Sequence, residues 1–180
     1  MCKYFKRRYP GIFIALGGPH PTLEPEYCMR RRYVDFIDTG DGEQSQLELL
    51  EAIRTEQKLI RFSDINGLIY LDEKGQYQYG APRRNIDNLD LTPIIDRRMV
   101  PESVDALTVT VYSSRGCPGR CIYCAAPAMS GGKYRIRDIE NVFLETLMAL
   151  AQSRKRKEVF YSDDTFTVFR KRVERFIELC

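Results

Sequence analysis

The 180-residue chain has no long apolar run, little net charge and a single histidine. Its most apolar stretch, GIFIALGG at residues 11–18, has the length of a strand, whereas a membrane-spanning helix needs about 20 residues. The basic N-terminus also lacks the apolar segment of a secretory signal. We therefore expect no membrane segment and a cytoplasmic protein, in which the six cysteines are reduced.

A net charge of +3 does not indicate the strong overall field that attracts nucleic acids. Short basic runs occur at residues 6–8, 30–32 and 153–157, but lysine and arginine are also common in the last turns of helices. No series of aromatic residues accompanies these runs. The pattern favours solvated helix ends, so we expect no nucleic-acid partner.

Strands and helices alternate in the first 80 residues. Strand patterns occur at residues 11–18 and 34–38, and a helix is predicted over residues 43–57 with apolar positions 47, 50 and 53. This alternation is typical of a parallel α/β sheet. The stretch GLIYLDEKGQYQYG at residues 67–80 predicts a β-hairpin around the turn DEKG.

The next 25 residues, 81–105, contain three prolines and several charges without a sustained period, and we interpret them as a linker. Strand patterns at residues 108–111 and 158–164 then flank an amphipathic helix. The sequence therefore predicts an α/β fold with two domains, at residues 1–80 and 106–180.

Three cysteines lie within eight residues, in the sequence CPGRCIYC: Cys117, Cys121 and Cys124. A closed zinc site needs a fourth ligand, and the sole histidine, His20, and the other cysteines are distant in the sequence. A redox Cys-x-x-Cys pair would leave Cys117 without a role. A four-iron cluster accounts better for three thiolates, since one iron then stays open for another ligand. Glycines around the cysteines would let the loop wrap such a cluster.

The spacing Cys-x3-Cys-x2-Cys, preceded by Arg-Gly, resembles the signature of the radical S-adenosylmethionine (SAM) superfamily. The resemblance implies that Cys117, Cys121 and Cys124 hold a [4Fe-4S] cluster whose open iron binds SAM. In that family an electron, from a donor such as flavodoxin or ferredoxin, cleaves SAM to a 5′-deoxyadenosyl radical that abstracts hydrogen from the substrate.

Two further features extend this resemblance. The aromatic Tyr123, just before the last cysteine, is implied as an adenine contact, with a simple packing role as the alternative. VFYSDDTFT resembles the second barrel strand of the family, and its Asp163 and Asp164 are implied as contacts to the methionine end of SAM. Paired aspartates also cap helix N-termini, so that a structural role stays open.

IALGGPHPTLEPEY and VDFIDTGDGEQSQLELLEAI resemble the C-terminal part of the cobalamin-binding domain that precedes many radical SAM cores. The resemblance implies that Gly17 and Gly18 let the nucleotide tail of cobalamin approach the backbone, while an ordinary strand-to-loop turn is the other interpretation. His20 lacks the Asp-x-His-x-x-Gly context of the family's cobalt ligand, so we do not assign it that role.

The resemblance covers parts of two domains: the C-terminal part of a Rossmann-like cobalamin-binding domain and the first β/α units of a radical SAM partial TIM barrel. It implies a fragment, inactive by itself, of an enzyme for cobalamin-linked methyl transfer or a related radical transformation. The substrate is not indicated. Two alternatives stay open: a radical SAM enzyme of another branch, such as a methylthiotransferase, and a zinc-stabilised nucleic-acid-binding module.

Overall fold

In a computed structural model, the chain folds as two units, Met1–Asn85 and Ile86–Cys180. The structure describes residues 1–30, 33–54, 61–100, 107–155 and 158–180. Within these ranges, no helix has both the length and the apolar character that crossing a membrane requires.

The first unit is built on a four-stranded sheet. Its strands, in spatial order, are β1 (Ala15–Leu16), β2 (Phe36–Asp38), β3 (Leu68–Leu71) and β4 (Tyr77–Tyr79). The strands β1 and β2 are parallel, whereas β3 runs antiparallel to both β2 and β4. The predicted hairpin is confirmed, and the Asp72 carboxylate stabilises its turn by accepting hydrogen bonds from the backbone of Lys74 and Gln76. Because this hairpin pairs beside β2, the sheet is mixed rather than wholly parallel.

Helices cover both faces of this sheet. They are α1 (Cys2–Arg8), α2 (Pro19–Leu23), α3 (Pro25–Met29) and α4 (Glu43–Arg54). Successive residues of a strand point to opposite faces. Accordingly, Ile37 packs in a cluster with Met29 of α3, and Phe36 packs in a second cluster with Leu49 of α4. A sheet covered on both faces confirms the predicted α/β class.

The strand expected at residues 11–18 is much shorter: it contributes only Ala15–Leu16 to the sheet, and Phe13 is exposed. In α4, the apolar positions Leu47 and Leu50 do not face the core, since they are 61% and 62% exposed. The buried hydroxyl of Ser45 donates to the Asp38 carboxylate at 2.6 Å, and this bond turns the face with Ser45 and Leu49 toward the sheet. The predicted continuation of the helix, residues 55–57, lies outside the described residues.

The second unit contains a parallel pair of strands joined through a helix. Its elements are β5 (Thr108–Val111), β6 (Ser114–Arg115), α5 (Ala126–Met129), β7 (Arg135–Ile136), α6 (Ile139–Ala151), β8 (Glu158–Tyr161) and α7 (Arg170–Leu179). The strands β5 and β8 are parallel, and Val109 and Val111 pack with Val142 of the intervening α6. The predicted strand at residues 108–111 and the amphipathic helix after it are confirmed, whereas the strand predicted at residues 158–164 ends at Tyr161. Together they form a β–α–β arrangement.

Residues 86–100, in the stretch interpreted as a linker, belong to the second unit. Arg97 binds this stretch to the rest of the unit, because its Nη2 lies 2.9 Å from Oε1 of Glu145 on α6. The other oxygen of Glu145 accepts from Arg137, which follows β7. All three charged groups are shielded from solvent, with side chains at most 10% exposed. The remainder of that stretch, residues 101–105, lies outside the described residues.

Candidate functional site

The cysteine loop is closed at its base by a short antiparallel ladder. Ser114 pairs with Ile136 and Arg115 with Arg135, so that the two ends of the loop, residues 116–134, lie side by side. Gly116 has a φ of +85°, and a Cβ there would lie 2.2 Å from the carbonyl oxygen of Lys133. Only glycine fits at this position, because both the positive φ and the close approach of the Lys133 carbonyl oxygen exclude a side chain.

Asp163, just beyond β8, fastens the start of the loop. Its Oδ1 accepts hydrogen bonds from the backbone N–H of Ser113 at 3.0 Å, the Ser113 hydroxyl at 3.1 Å and the Ser114 hydroxyl at 2.6 Å. Both serines are buried. The ends of β5 and β8 are thereby joined, and the loop starts from a fixed position. The second oxygen, Oδ2, is buried and has no hydrogen-bond partner within the part of the chain that the structure describes.

Cys117 and Cys121 lie on either side of Gly119. A Cβ on Gly119 would lie 3.3 Å from Cys117 Sγ and 3.9 Å from Cys121 Sγ, so the glycine keeps this space open. The Gly119 N–H donates to Cys117 Sγ at 3.4 Å. Cys117 is partly buried, whereas Cys121 and Cys124 are exposed. The sulfur-bearing tip of the loop therefore faces outward from a rigid base.

The donor set of the loop, three cysteine thiols, is of the kind that binds iron–sulfur clusters. Over the described ranges, no group of three or more His, Cys, Asp or Glu side chains is placed to hold one metal ion. In a [4Fe-4S] cluster each cysteine binds a different iron, so the three thiolates stand around the cluster instead of converging on one point. Three thiols on one open loop, with a backbone N–H directed at sulfur, fit that requirement.

The other predicted site residues of the second unit lie in different surroundings. Tyr123 is 89% exposed and the neighbouring Ile122 is fully exposed, so Tyr123 does not pack in the core. Asp164 is exposed, next to the partly buried Asp163. Tyr161, at the end of β8, was not a predicted site residue. It packs partly buried against the core, where burial raises the pKa of its phenol, and its hydroxyl pairs with that of Thr146.

In the first unit, Gly17 and Gly18 follow β1 at the edge where β2 also ends. Gly18 has a φ of +93°, and both glycines are exposed. The loop after β2 contacts the helix that follows these glycines, because the Gly40 N–H donates to the hydroxyl of Thr22 on α2 at 3.2 Å. Ligands of α/β sheets commonly bind at this carboxyl edge. His20 is exposed and its ring lies 5.6 Å from that of Tyr27.

Sequence reasoning missed two residues of the cysteine site. The Thr165 hydroxyl lies 3.3 Å from Cys117 Sγ, and the Tyr134 hydroxyl donates to the Thr165 carbonyl oxygen at 3.0 Å. These contacts join residues 48 and 31 positions apart. No local pattern marks such pairs; the one available signal was the placement of Thr165 just after the Asp-Asp pair at a strand end.

Comparison with known proteins identifies the segment that contains this loop. Residues 111–180, from the last residue of β5 onward, match the sequence profile of the radical SAM superfamily. This segment belongs to the radical SAM superfamily. The predicted resemblance of this segment to that superfamily is thereby confirmed.

Relatives of the radical SAM segment also align with the first unit. An uncharacterized methyltransferase of Pyrococcus horikoshii is 33% identical over 177 residues, which are 96% of this chain and 38% of that protein. The anaerobic magnesium-protoporphyrin IX monomethyl ester cyclase of Rubrivivax gelatinosus is 27% identical over 177 residues, 95% of this chain and 31% of that protein. The chain thus spans about a third of the length of each of these two relatives.

A solved structure shares the fold of almost the whole chain. The radical SAM methyltransferase TsrM from Kitasatospora setae, solved with cobalamin and a [4Fe-4S] cluster bound, superposes with a TM-score of 0.67 at 18% identity. The superposition covers 93% of this chain and 33% of TsrM. This similarity confirms the α/β fold.

Proposed function

We propose that the chain is part of a radical SAM enzyme in which Cys117, Cys121 and Cys124 hold a [4Fe-4S] cluster. The observation that carries the proposal is the cysteine loop itself: three thiols on one short loop, two of them exposed, whose base is fixed to the carboxyl ends of two parallel strands. When bound, the cluster supplies the electron for reductive cleavage of SAM. The match over residues 111–180 supports this chemistry over a zinc-stabilised nucleic-acid module.

The chain's own residues would hold SAM in two places. Asp163 Oδ1 accepts hydrogen bonds from Ser113 and Ser114. The buried Oδ2 accepts none from the described residues. A buried carboxylate oxygen is costly without a donor. The ammonium group of SAM would satisfy it, and the exposed Asp164 beside it would add negative charge. The exposed ring of Tyr123 offers a face on which adenine can stack.

We further propose that cobalamin-linked methyl transfer, or a related radical transformation, is the reaction. The relation to TsrM supports this, and so does the placement of Gly17 and Gly18 at the carboxyl edge of the parallel pair β1–β2. In this proposal residues 1–80 are the C-terminal part of a Rossmann-like cobalamin domain, 81–105 connect the domains, and 106–180 are the first β/α units of a partial TIM barrel.

The electron donor in this proposal is a small redox protein such as flavodoxin or ferredoxin. A cluster that depends on three reduced thiols also requires a reducing compartment, and for that reason we assign the enzyme to the cytoplasm. A methylthiotransferase remains a second radical SAM candidate. Its second cluster would need further cysteines, and Cys2 and Cys28 do not form a comparable loop motif.

The proposal is tested by anaerobic reconstitution with iron and sulfide. We expect about four iron ions per chain, and a loss of most of that iron when any one of the three loop cysteines is changed to alanine. Cys28→Ala is the matched control, because Cys28 is a partly buried thiol of the first unit, and should retain full iron. Equal iron loss in Cys28→Ala and Cys121→Ala would refute the ligand assignment, and about one zinc ion per chain would favour the zinc module.

A further inference from the structure

The partly buried sulfur of the loop has a side-chain neighbour from another element. Thr165 Oγ1, on the segment that follows β8, lies 3.3 Å from Cys117 Sγ. Cys121 and Cys124 are exposed, so water can solvate their sulfurs. Cys117 is the sulfur that relies on the protein for hydrogen bonds.

The position of Thr165 is fixed from both sides of the loop. Two residues before it, Asp163 binds Ser113 and Ser114 at the start of the loop. At the other end of the loop, Tyr134 donates its hydroxyl hydrogen bond to the Thr165 carbonyl oxygen at 3.0 Å. The Thr165 hydroxyl is therefore held at Cys117 by contacts to both the start and the end of the loop.

The direction of the hydrogen bond follows from what each atom can do. The Thr165 hydroxyl has one proton and also lies 2.8 Å from the Asp164 carbonyl oxygen, which can only accept. A thiolate bound to iron has no proton and can only accept as well. Rotation about the C–O bond moves the hydroxyl proton from the carbonyl oxygen to the sulfur without moving either residue.

We propose that Thr165 is a positioning residue that donates a hydrogen bond to the Cys117 thiolate and raises the reduction potential of the cluster. This inference rests on the proposed function. Reduction adds negative charge to the cluster and its sulfurs, and a hydrogen-bond donor stabilises the more negative state. The Gly119 N–H remains as a second donor to the same sulfur, so loss of the hydroxyl weakens this stabilisation without abolishing it.

The test is a redox titration of the reconstituted chain, followed by electron paramagnetic resonance of the reduced cluster. Thr165→Val keeps the shape of the side chain and removes its hydroxyl, whereas Thr165→Ser keeps the hydroxyl. Thr167→Val is the control, because it makes the same change at an exposed position two residues away. We expect Thr165→Val to retain iron and to shift the reduction equilibrium by up to about tenfold, a midpoint lower by up to about 59 mV for one electron. Thr165→Ser and Thr167→Val should match the wild type.

Three outcomes overturn the inference. They are an unchanged midpoint in an iron-replete Thr165→Val, an equal shift in Thr165→Ser, and loss of the cluster in both variants. Loss of the cluster in Thr165→Val alone, with full retention in Thr165→Ser, supports the role of the hydroxyl. A wild-type chain that takes up no iron and sulfide would instead overturn the proposed function, and this inference with it.

Discussion

Removal of the Glu145 carboxylate is the sharpest test of what holds the base of the cysteine loop in place. Glu145 lies on α6 and binds two arginines, Arg97 before β5 and Arg137 after β7. Arg137 also donates to the Tyr112 carbonyl oxygen at 3.0 Å, directly before the loop begins. The substitution Glu145→Ala would remove the charge that the two guanidinium groups share, while Arg137 would keep its longer pair with Asp90, whose Oδ1 lies 3.9 Å from Arg137 Nε.

The size of the effect follows from the burial of these groups. Breaking a buried ion pair by removing one partner costs about 3–5 kcal/mol, because an uncompensated charge stays in the interior. Here Arg97 keeps a hydrogen bond to the Thr110 carbonyl oxygen at 2.8 Å, and Arg137 keeps the one to Tyr112. We therefore expect the lower value, about 3 kcal/mol, which for a unit of this size lowers Tm by about 12–24 °C.

The assay is thermal and urea unfolding of the metal-free chain under reducing conditions, followed by circular dichroism. Glu140→Ala is the matched control on the same helix, since the Glu140 side chain is 50% exposed and pairs with Arg175 at the surface, whereas that of Glu145 is 5% exposed. Surface pairs contribute little, so the control should unfold close to the wild type. The reasoning is refuted if Glu145→Ala and Glu140→Ala unfold at the same temperature and urea concentration.

Two further predictions concern the loop itself. Gly116→Ala and Gly132→Ala both place a side chain at positive φ, at +85° and +72°, but only the first brings a Cβ within 4 Å of another group, the Lys133 carbonyl oxygen at 2.2 Å. We expect Gly132→Ala to bind iron nearly as the wild type does and Gly116→Ala to lose most of it; equal iron contents would contradict the steric argument. Tyr123→Ala should keep the cluster and weaken SAM binding about fivefold in calorimetry, as expected for about 1 kcal/mol of aromatic stacking; unchanged affinity in an iron-replete variant would remove Tyr123 from the SAM site.

Much of the fold could be predicted because its signals are local. The turn DEKG lies between two short apolar runs, and the hairpin forms there. The β-branched residues at 108–111 and the apolar spacing after residue 137 predicted β5 and α6. In each case the pattern reflects backbone preference and burial within one element, so neighbouring residues contain the information.

The orientation of α4 shows where local patterns fail. The leucines at positions 47 and 50 have helical spacing, yet they are exposed. The opposite face is buried because Ser45 reaches the Asp38 carboxylate at the end of β2. A helix with apolar residues on more than one side does not specify which side packs, and a polar contact made by another element decides it.

By itself, the sequence determined the three thiols, their spacing and the glycines between them, because the geometry of a short loop depends on adjacent residues. Only the tertiary structure decided how that loop is held. Asp163 reaches Ser113, Thr165 reaches Cys117, and Glu145 joins two arginines, each across a long stretch of chain. Such contacts depend on where folding brings β8 and α6 beside β5, and the hydrophobic burial that aligns these elements leaves no short-range pattern for the polar partners that meet there.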